Sequence, residues 1–347
     1  MGESSLLDRP GAVAAEEPDT DIAAHYGEPV AEQRALDSAV GWVDRSNRGV
    51  VQVSGPDRLG WLHSLTSQYL DGLTPGSATE ALLMDTNGRI NHHLTLVEDG
   101  TAVWIHTEPG GAADLAAFLD SMRFMLRVEV ADRTADYGVL TLRGPQRSQI
   151  DPGELLADRP EGPQLVLRQA EHETDLFVPR EWLVDVATEL SNAGVRPAGL
   201  WAYEALRVAE HRPRHGLDSD HRAIPHEMGW VGPAVHLEKG CYPGQETVAR
   251  VHNLGRPPRR LVMLHLDGHA DRLPARGSAV EYNGRSVGTL GTTARHHEQG
   301  PIGLALVKRS IPVDAEFLVD GVAAAQEVIV SPDTGANADI QIRRKPA

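Results

Sequence analysis

Cysteine is almost absent from this chain: Cys241 is the single one among 347 residues. A lone thiol excludes an internal disulfide, and it cannot furnish the thiolate set of a structural zinc site or an iron–sulfur cluster. It fits a reducing compartment. Positive charge is also short, with 33 Lys and Arg against 49 Asp and Glu, a net charge of −16. Such a surface repels polyphosphate and argues against broad nucleic-acid binding. No apolar run reaches the roughly 20 residues needed to span a bilayer, and no basic, apolar N-terminal run reads as a secretory signal. A cytoplasmic protein is expected. Neither a P-loop nor a dinucleotide fingerprint occurs, so ATP and NAD chemistry are not expected.

What is present is a soluble globular composition, 41% hydrophobic and 24% charged, in a chain long enough for two or three domains. Residues 1–28 are acidic and lack periodicity, which predicts a disordered tail. A short helix is expected over 31–40 and a strand over 49–55, followed by helical spacing of Leu59, Leu62 and Leu65. Ala78–Met84 reads as a strand, and Asp85-Thr86-Asn87-Gly88 as a hairpin turn. Strands over 90–97 and 102–107, a helix over 112–125 and a strand over 128–130 complete an α+β lobe at 29–135. The pattern repeats loosely over 136–256, with strands at 139–142, 164–168 and 174–178 and helices at 181–193 and 200–210. After Pro257-Pro258, short β-type runs at regular spacing predict a small barrel or sandwich over 257–347.

The densest chemistry lies in Lys239-Gly240-Cys241-Tyr242-Pro243-Gly244-Gln245-Glu246-Thr247-Val248-Ala249-Arg250. Pro243 suits the first turn of a helix continuing over 245–250. A thiol just ahead of a helix N-terminus, with Lys239 two residues away, is favoured as the thiolate. It is then able to ligate an iron transiently, form a mixed disulfide or respond to oxidation; the alternative is an inert core cysteine. Lys239 and Arg250 are candidate cations for carboxylates, or solvated surface charges. Gly240 and Gly244 are expected to serve the backbone. Gln245 is a candidate for an amide edge, and Glu246 for the helix start. Arg207 either meets a pocket or pairs within its helix with Tyr203 or Glu204. Tyr242 and Trp230 are candidates to stack on a flat ring, or core plugs. Sixteen histidines are present, but adjacent residues such as His92-His93 and His296-His297 are expected to face opposite sides of a strand. The spacing of His211, His215, His221 and His226 is irregular, so no permanent metal site is expected.

The segment 239–250 resembles the signature of the YgfZ-type folate-binding proteins, relatives of the glycine-cleavage T-protein (aminomethyltransferase). Val53-Ser54-Gly55-Pro56-Asp57-Arg58, Asp85-Thr86-Asn87-Gly88-Arg89-Ile90, and Trp201 to Val208 with Ile224-Pro225-His226-Glu227-Met228 are similar to further elements of that family. The resemblance implies a three-lobed cloverleaf, α+β in class, with two α+β lobes and a C-terminal β-barrel around a central folate pocket. It implies tetrahydrofolate or a derivative as cofactor, bound by Lys239, Tyr242, Gln245, Arg250 and Arg207, with Cys241 as the functional thiol at the pocket rim. The chain departs from the T-protein where that family carries paired aspartates; here stand Asn91-His92-His93-Leu94. A T-protein glutamate is matched by Ala209, and Glu210, one residue on, is turned by about 100° around the helix. The implied function is a folate-binding accessory protein that supports assembly or repair of iron–sulfur enzymes, including tRNA-modifying ones. Its partners would be those enzymes or cluster-assembly proteins. The alternative is a folate-dependent aminomethyl- or methyltransferase with His92 in the aspartate's place.

Overall fold

The computed structural model describes residues 3–152, 164–270 and 272–336. Alternating apolar residues build two five-stranded sheets and a closed six-stranded barrel. In the first lobe the strand order is Ala78–Met84, Ile90–Glu98, Ala102–Thr107, Gly49–Ser54 and Glu129–Asp132, all antiparallel. Helices Arg58–Leu65 and Ala112–Ser121 lay Leu62, Leu65, Leu115 and Leu119 on this sheet, against Val51, Leu83, Leu94 and Ile105. The second of these helices stops at Ser121 rather than continuing to Met125, because the chain turns outward at Arg123.

The second lobe orders Val166–Gln169, Glu173–Pro179, Tyr137–Arg143, Gly41–Asp44 and Arg196–Ala198. Its last two strands run parallel. Helix Leu183–Asn192 covers one face, burying Leu183, Val186 and Leu190 against Trp42, Leu140 and Leu176. The opposite face meets the first lobe's sheet through Val50, Trp104, Tyr137, Val139 and Phe177.

In the barrel, Arg259–Leu266 pairs with both Gly300–Lys308 and Val322–Val328. The alternation along Arg259–Leu266 separates two tasks. Val262, Leu264 and Leu266 fill the barrel, whereas Leu261 and Met263 face a seam with Leu82, Met84, Ile90, Val208, Met228, Trp230 and Tyr242. That seam joins the barrel to the first lobe, the helix Leu200–Ala209 and the cysteine segment. The architecture is therefore the three-lobed α+β arrangement with a C-terminal β-barrel.

Two expectations are corrected. The acidic segment over 1–28, read as a disordered tail, is ordered from Glu3 onward. Its apolar residues follow no period, but Leu6, Ile22, Ala23 and Ala24 are all buried, and strands Val13–Ala14 and Ala23–His25 pair. Its polar groups are also engaged: Ser4 Oγ donates to Asp44 Oδ2 at 2.6 Å, and Asp19 accepts from Asn47 and Arg214 at 2.6 and 2.9 Å. The division at 29–135 and 136–256 is also redrawn. Strand Gly41–Asp44 pairs with Tyr137–Arg143 and Arg196–Ala198, so the chain begins the second lobe, makes the first as an excursion, and returns.

Ile22 is fully buried at the junction of the N-terminal segment with Val43, Ala198 and Leu206. Ile22→Ala should lower the unfolding free energy by about 2–5 kcal/mol, as for other large-to-small core changes. Denaturant titration checks this; an unchanged midpoint would mean that the segment is not part of the cooperative core.

Candidate functional site

The two lobes, the loop after helix Leu200–Ala209 and the Met228-Gly229-Trp230 turn enclose a cavity of about 420 Å³. Charged side chains occupy inward positions of otherwise apolar strands. Glu80 and His93 come from the first hairpin, His106 and Glu108 from the next strand and its end, and Arg168 and Glu173 from the second lobe. Arg45 and Arg48 arrive on the connection between lobes, and Arg212 and Arg214 on the polar loop.

These groups satisfy one another. Asp175, fully buried, accepts from Thr141 Oγ1 at 2.6 Å and Arg168 Nη1 at 2.9 Å, and His106 Nε2 lies 3.0 Å away. Glu173 accepts from Arg212 Nη2 at 2.9 Å and the Tyr203 hydroxyl at 3.0 Å. Glu108 bridges Arg48 at 2.7 Å and Arg214 at 2.9 Å. Burial alone would raise the pKa of each of these carboxyls. Facing partners overcome that effect: Arg212 and Arg45 for Glu173, the His106 hydrogen bond with Arg168 and Arg45 for Asp175, and Arg214 and Arg48 for Glu108 hold all three ionised. At Glu80 burial also pushes upward, but the His93 hydrogen bond with Arg168 and Arg212 brings the carboxyl down to about 2.

One wall is flat. The His93 ring stacks on Trp230 at a centroid distance of 4.8 Å and 17° between planes, and its Nε2 is 2.9 Å from Glu80 Oε2. Strand alternation turns His92 away from the cavity, toward Gly111. Of this adjacent pair, the imidazole that meets the cavity is therefore His93, not the His92 of the transferase alternative. His215 stands beside it with Nε2 3.1 Å from Asn91 O; burial and His93 hold its pKa down at about 4.

Of the residues singled out from sequence, Arg207, Trp230, His93 and His211 line the cavity, while those of the 239–250 segment do not. Arg207 is committed within the fold: it pairs with Glu204, and bonds Asp218 at 2.9 Å and Thr292 Oγ1 at 2.8 Å. Lys239 is not a free cation. Its Nζ donates to the carbonyls of His63, Thr66 and Gln68, at and just beyond the C-terminus of helix Arg58–Leu65, and it lies 5.0 Å from the centre of the Tyr242 ring. Burial lowers its pKa to about 8. Tyr242 is a core plug in the interlobe seam. Gln245 Nε2 donates to Lys239 O at 3.3 Å, fastening the loop to itself. Arg250 and Glu246 are exposed on helix Gln245–Asn253.

Pro243 lies outside that helix, because Gly244 caps it in the left-handed region at φ 84°. A Cβ on Gly244 would lie 2.8 Å from both Asp85 O and Gly88 Cα, so the Pro-Gly turn and the 85–88 hairpin touch backbone to backbone. Gly240 has no such constraint: a Cβ there would meet nothing within 4 Å. Cys241 is exposed on the surface rather than on the cavity wall. The loop histidines do not converge. Among the described residues, no group of three or more His, Cys, Asp or Glu side chains could hold a metal ion.

The sequence reading missed the ionic lining of the cavity. Its signal was the run Asp44-Arg45-Ser46-Asn47-Arg48 between two apolar strands, with Arg168 and Asp175 at alternate positions inside Val166–Gln169 and Glu173–Pro179. Charges at inward strand positions mark a buried polar site rather than a solvated face.

Two changes test this geometry. Gly244→Ala forces a strained φ and a backbone clash, so its melting temperature should fall by several degrees, while Gly240→Ala leaves it unchanged. Equal effects in differential scanning calorimetry would contradict the assignment. The second test is pH. His226 is buried with neither ring nitrogen hydrogen-bonded, and burial beside His252 lowers its pKa from 6.5 to about 4, as burial does for His215. The unfolded chain binds protons below about pH 6.5 and the folded chain only near 4. The stability held by these neutral imidazoles is therefore complete above 6.5 and lost as pH falls toward 4. Melting temperatures should drop across that window, with a shallower slope in His226→Leu; an unchanged slope would exclude His226 as a source.

Residues 6–150 match the family model of the GCVT N-terminal domain, and residues 259–331 that of the CAF17 C-terminal beta-barrel domain. An aminomethyltransferase of Parasynechococcus marenigrum (strain WH8102) is 29% identical over 330 residues, covering 87% of this chain and 88% of that protein. One of Symbiobacterium thermophilum is 26% identical over 341 residues, covering 88% and 89%. Among solved structures, the glycine cleavage system aminomethyltransferase T of Bartonella henselae superposes with a TM-score of 0.76 at 20% identity, covering 93% of this chain and 94% of that one. The fold is that of the glycine-cleavage T-protein, built here from a GCVT-like domain and a CAF17-type C-terminal barrel.

Proposed function

We propose that this chain is a YgfZ-type folate-binding accessory protein that supports assembly or repair of iron–sulfur enzymes, tRNA-modifying ones among them. The observation that carries the reading is the His93–Trp230 stack on the wall of the central cavity. The T-protein has paired aspartates at the matching strand; this chain offers an imidazole backed by Glu80. The CAF17-type barrel supports the iron–sulfur side of the reading.

The cavity residues fit a folate. A volume of about 420 Å³ lies in the range of small-molecule sites. The His93–Trp230 face suits a flat heteroaromatic ring, and the guanidinium groups of Arg168 and Arg212 suit carboxylates and carbonyl oxygens. Arg168 Nε is buried without a hydrogen-bond partner, a donor left over by the internal network. Bound tetrahydrofolate would supply a nitrogen able to carry a one-carbon unit. The protein's own contribution is to orient the ring on His93 and Trp230 and to surround it with fixed charges. Cys241, outside the cavity and exposed, is placed in this reading to meet a partner protein rather than the ligand.

The transferase alternative draws on the aminomethyltransferases of 26–29% identity. It now requires His93 rather than His92 as the group facing the ligand.

Isothermal titration with tetrahydrofolate should show one site. His93→Ala should weaken it at least tenfold, about 1.4 kcal/mol, whereas Cys241→Ala binds as wild type but fails to sustain cluster-dependent enzymes in cells. Absence of folate binding would sink the ligand assignment, and normal enzyme activity in the Cys241→Ala strain would sink the role of the thiol. Turnover of methylamine-type donors with tetrahydrofolate would favour the transferase.

A further inference from the structure

Strand Ala78–Met84 pairs with Ile90–Glu98 so that Leu82 stands opposite His93 and Glu80 opposite Thr95. Glu80 and His93 are therefore diagonal neighbours on one face of the hairpin, and Glu80 Oε2 lies 2.9 Å from His93 Nε2. Burial pushes the Glu80 carboxyl upward, yet this bond together with Arg168 and Arg212 keeps it ionised. An ionised carboxylate can only accept, so the proton in the shared bond belongs to Nε2. In the neutral imidazole the lone pair is then on Nδ1.

That nitrogen is spare. Among the described residues His93 Nδ1 has no hydrogen-bond partner, and it is not one of the unpartnered atoms sealed from solvent. His106, the other buried imidazole lining the cavity, has nothing left to offer. Its Nδ1 accepts from Arg48 Nε at 3.1 Å, and its Nε2 meets Asp175 at 3.0 Å. The carboxylates are spent as well, Glu108 on Arg48 and Arg214, and Glu173 on Arg212 and the Tyr203 hydroxyl. The cavity thus presents arginine donors, Arg168 Nε among them, and a free lone pair on the ring that stacks on Trp230.

We infer that Glu80 is a positioning residue: it fixes His93 as the Nε2–H tautomer, so that Nδ1 accepts from an N–H of the bound ring, which on the folate reading above is a pterin. The consequence is selectivity. A tetrahydropterin carries N–H groups on its reduced ring, whereas the corresponding nitrogens of oxidised folate carry lone pairs. Against Nδ1 the reduced ring gains a hydrogen bond, and the oxidised ring sets lone pair against lone pair away from bulk water. A site built to receive a donor rejects the analogue that lacks it more strongly than one that loses only apolar contact.

The tautomer is testable in the ligand-free protein. Nitrogen NMR of isotope-labelled histidine at about pH 8.5, above the ordinary imidazole range, should show His93 with a bare Nδ1 and a protonated Nε2. Difference from His93→Gln assigns the resonances. In Glu80→Gln, whose amide either accepts or donates, both tautomers should appear. A protonated Nδ1 in the wild type, or an unchanged spectrum in Glu80→Gln, would overturn the inference. Selectivity is read by isothermal titration. The wild type should bind tetrahydrofolate more tightly than folic acid by about tenfold or more. His93→Gln keeps an amide near the Nε2 position but lacks the acceptor, so its ratio should fall close to unity. His93→Asn puts an amide near the Nδ1 position and should retain most of the preference. Equal binding of the two folates by the wild type, or an undiminished ratio in His93→Gln, would also overturn it. A protein with the bare Nδ1 that binds neither folate would sink the ligand reading and leave the positioning role of Glu80 standing.

Discussion

Everything around the cavity depends on one buried network of arginines and carboxylates. Its members come from every part of the α+β region: Asp19 from the N-terminal segment, Arg45 and Arg48 from the connection between lobes, Glu108 from the first lobe, Arg168, Glu173 and Asp175 from the second, and Arg212 and Arg214 from the long loop. Removing one partner from such a set strands the others as uncompensated buried charges, at about 3–5 kcal/mol. The network therefore acts as a set of mutual constraints on where the segments can lie. It also keeps the centre of the molecule polar, where an apolar filling would have left no cavity.

The fold was legible where periodicity carries it. Ala78–Met84, Ala102–Thr107 and Glu316–Val319 are the strands that short β-type runs between turn residues predict, and helix Leu200–Ala209 differs from its expectation by one residue at its end. Strand Gly41–Asp44 was not read, because four residues that begin on a glycine and end on an aspartate make too short an apolar run; its place is dictated by partners far along the chain. The N-terminal segment looked disordered because order there rests on a few residues, Leu6 and Ile22 above all, and on the side-chain bonds of Ser4 and Asp19. No local pattern announces contacts made across such separations.

The cysteine segment was legible as a motif but not as a geometry. Lys239 looked available to a ligand because a sequence does not show that three backbone carbonyls await its ammonium group. Tyr242 and Gly244 likewise serve the joints of the segment with the seam and the hairpin. With its neighbours used for anchoring, Cys241 is an exposed thiol on a fixed platform. The cavity and the thiol are consequently separate places, joined by the first hairpin: Gly88 touches Gly244, and His93 stands five residues further along the chain.

The excursion of the first lobe from the second has a consequence in time. Strand Gly41–Asp44 pairs with Tyr137–Arg143 and later with Arg196–Ala198. During synthesis at about 5–20 residues per second, its first neighbour emerges roughly 5–20 s after it does, and its second later still. The first lobe can close in that interval from contacts within its own stretch. Trp42, Leu6 and Ile22 cannot, since their surroundings have not yet been made. The nascent chain therefore carries a folded middle and an unprotected apolar beginning, and it is at that stage, rather than in the finished molecule, that a chaperone has most to hold.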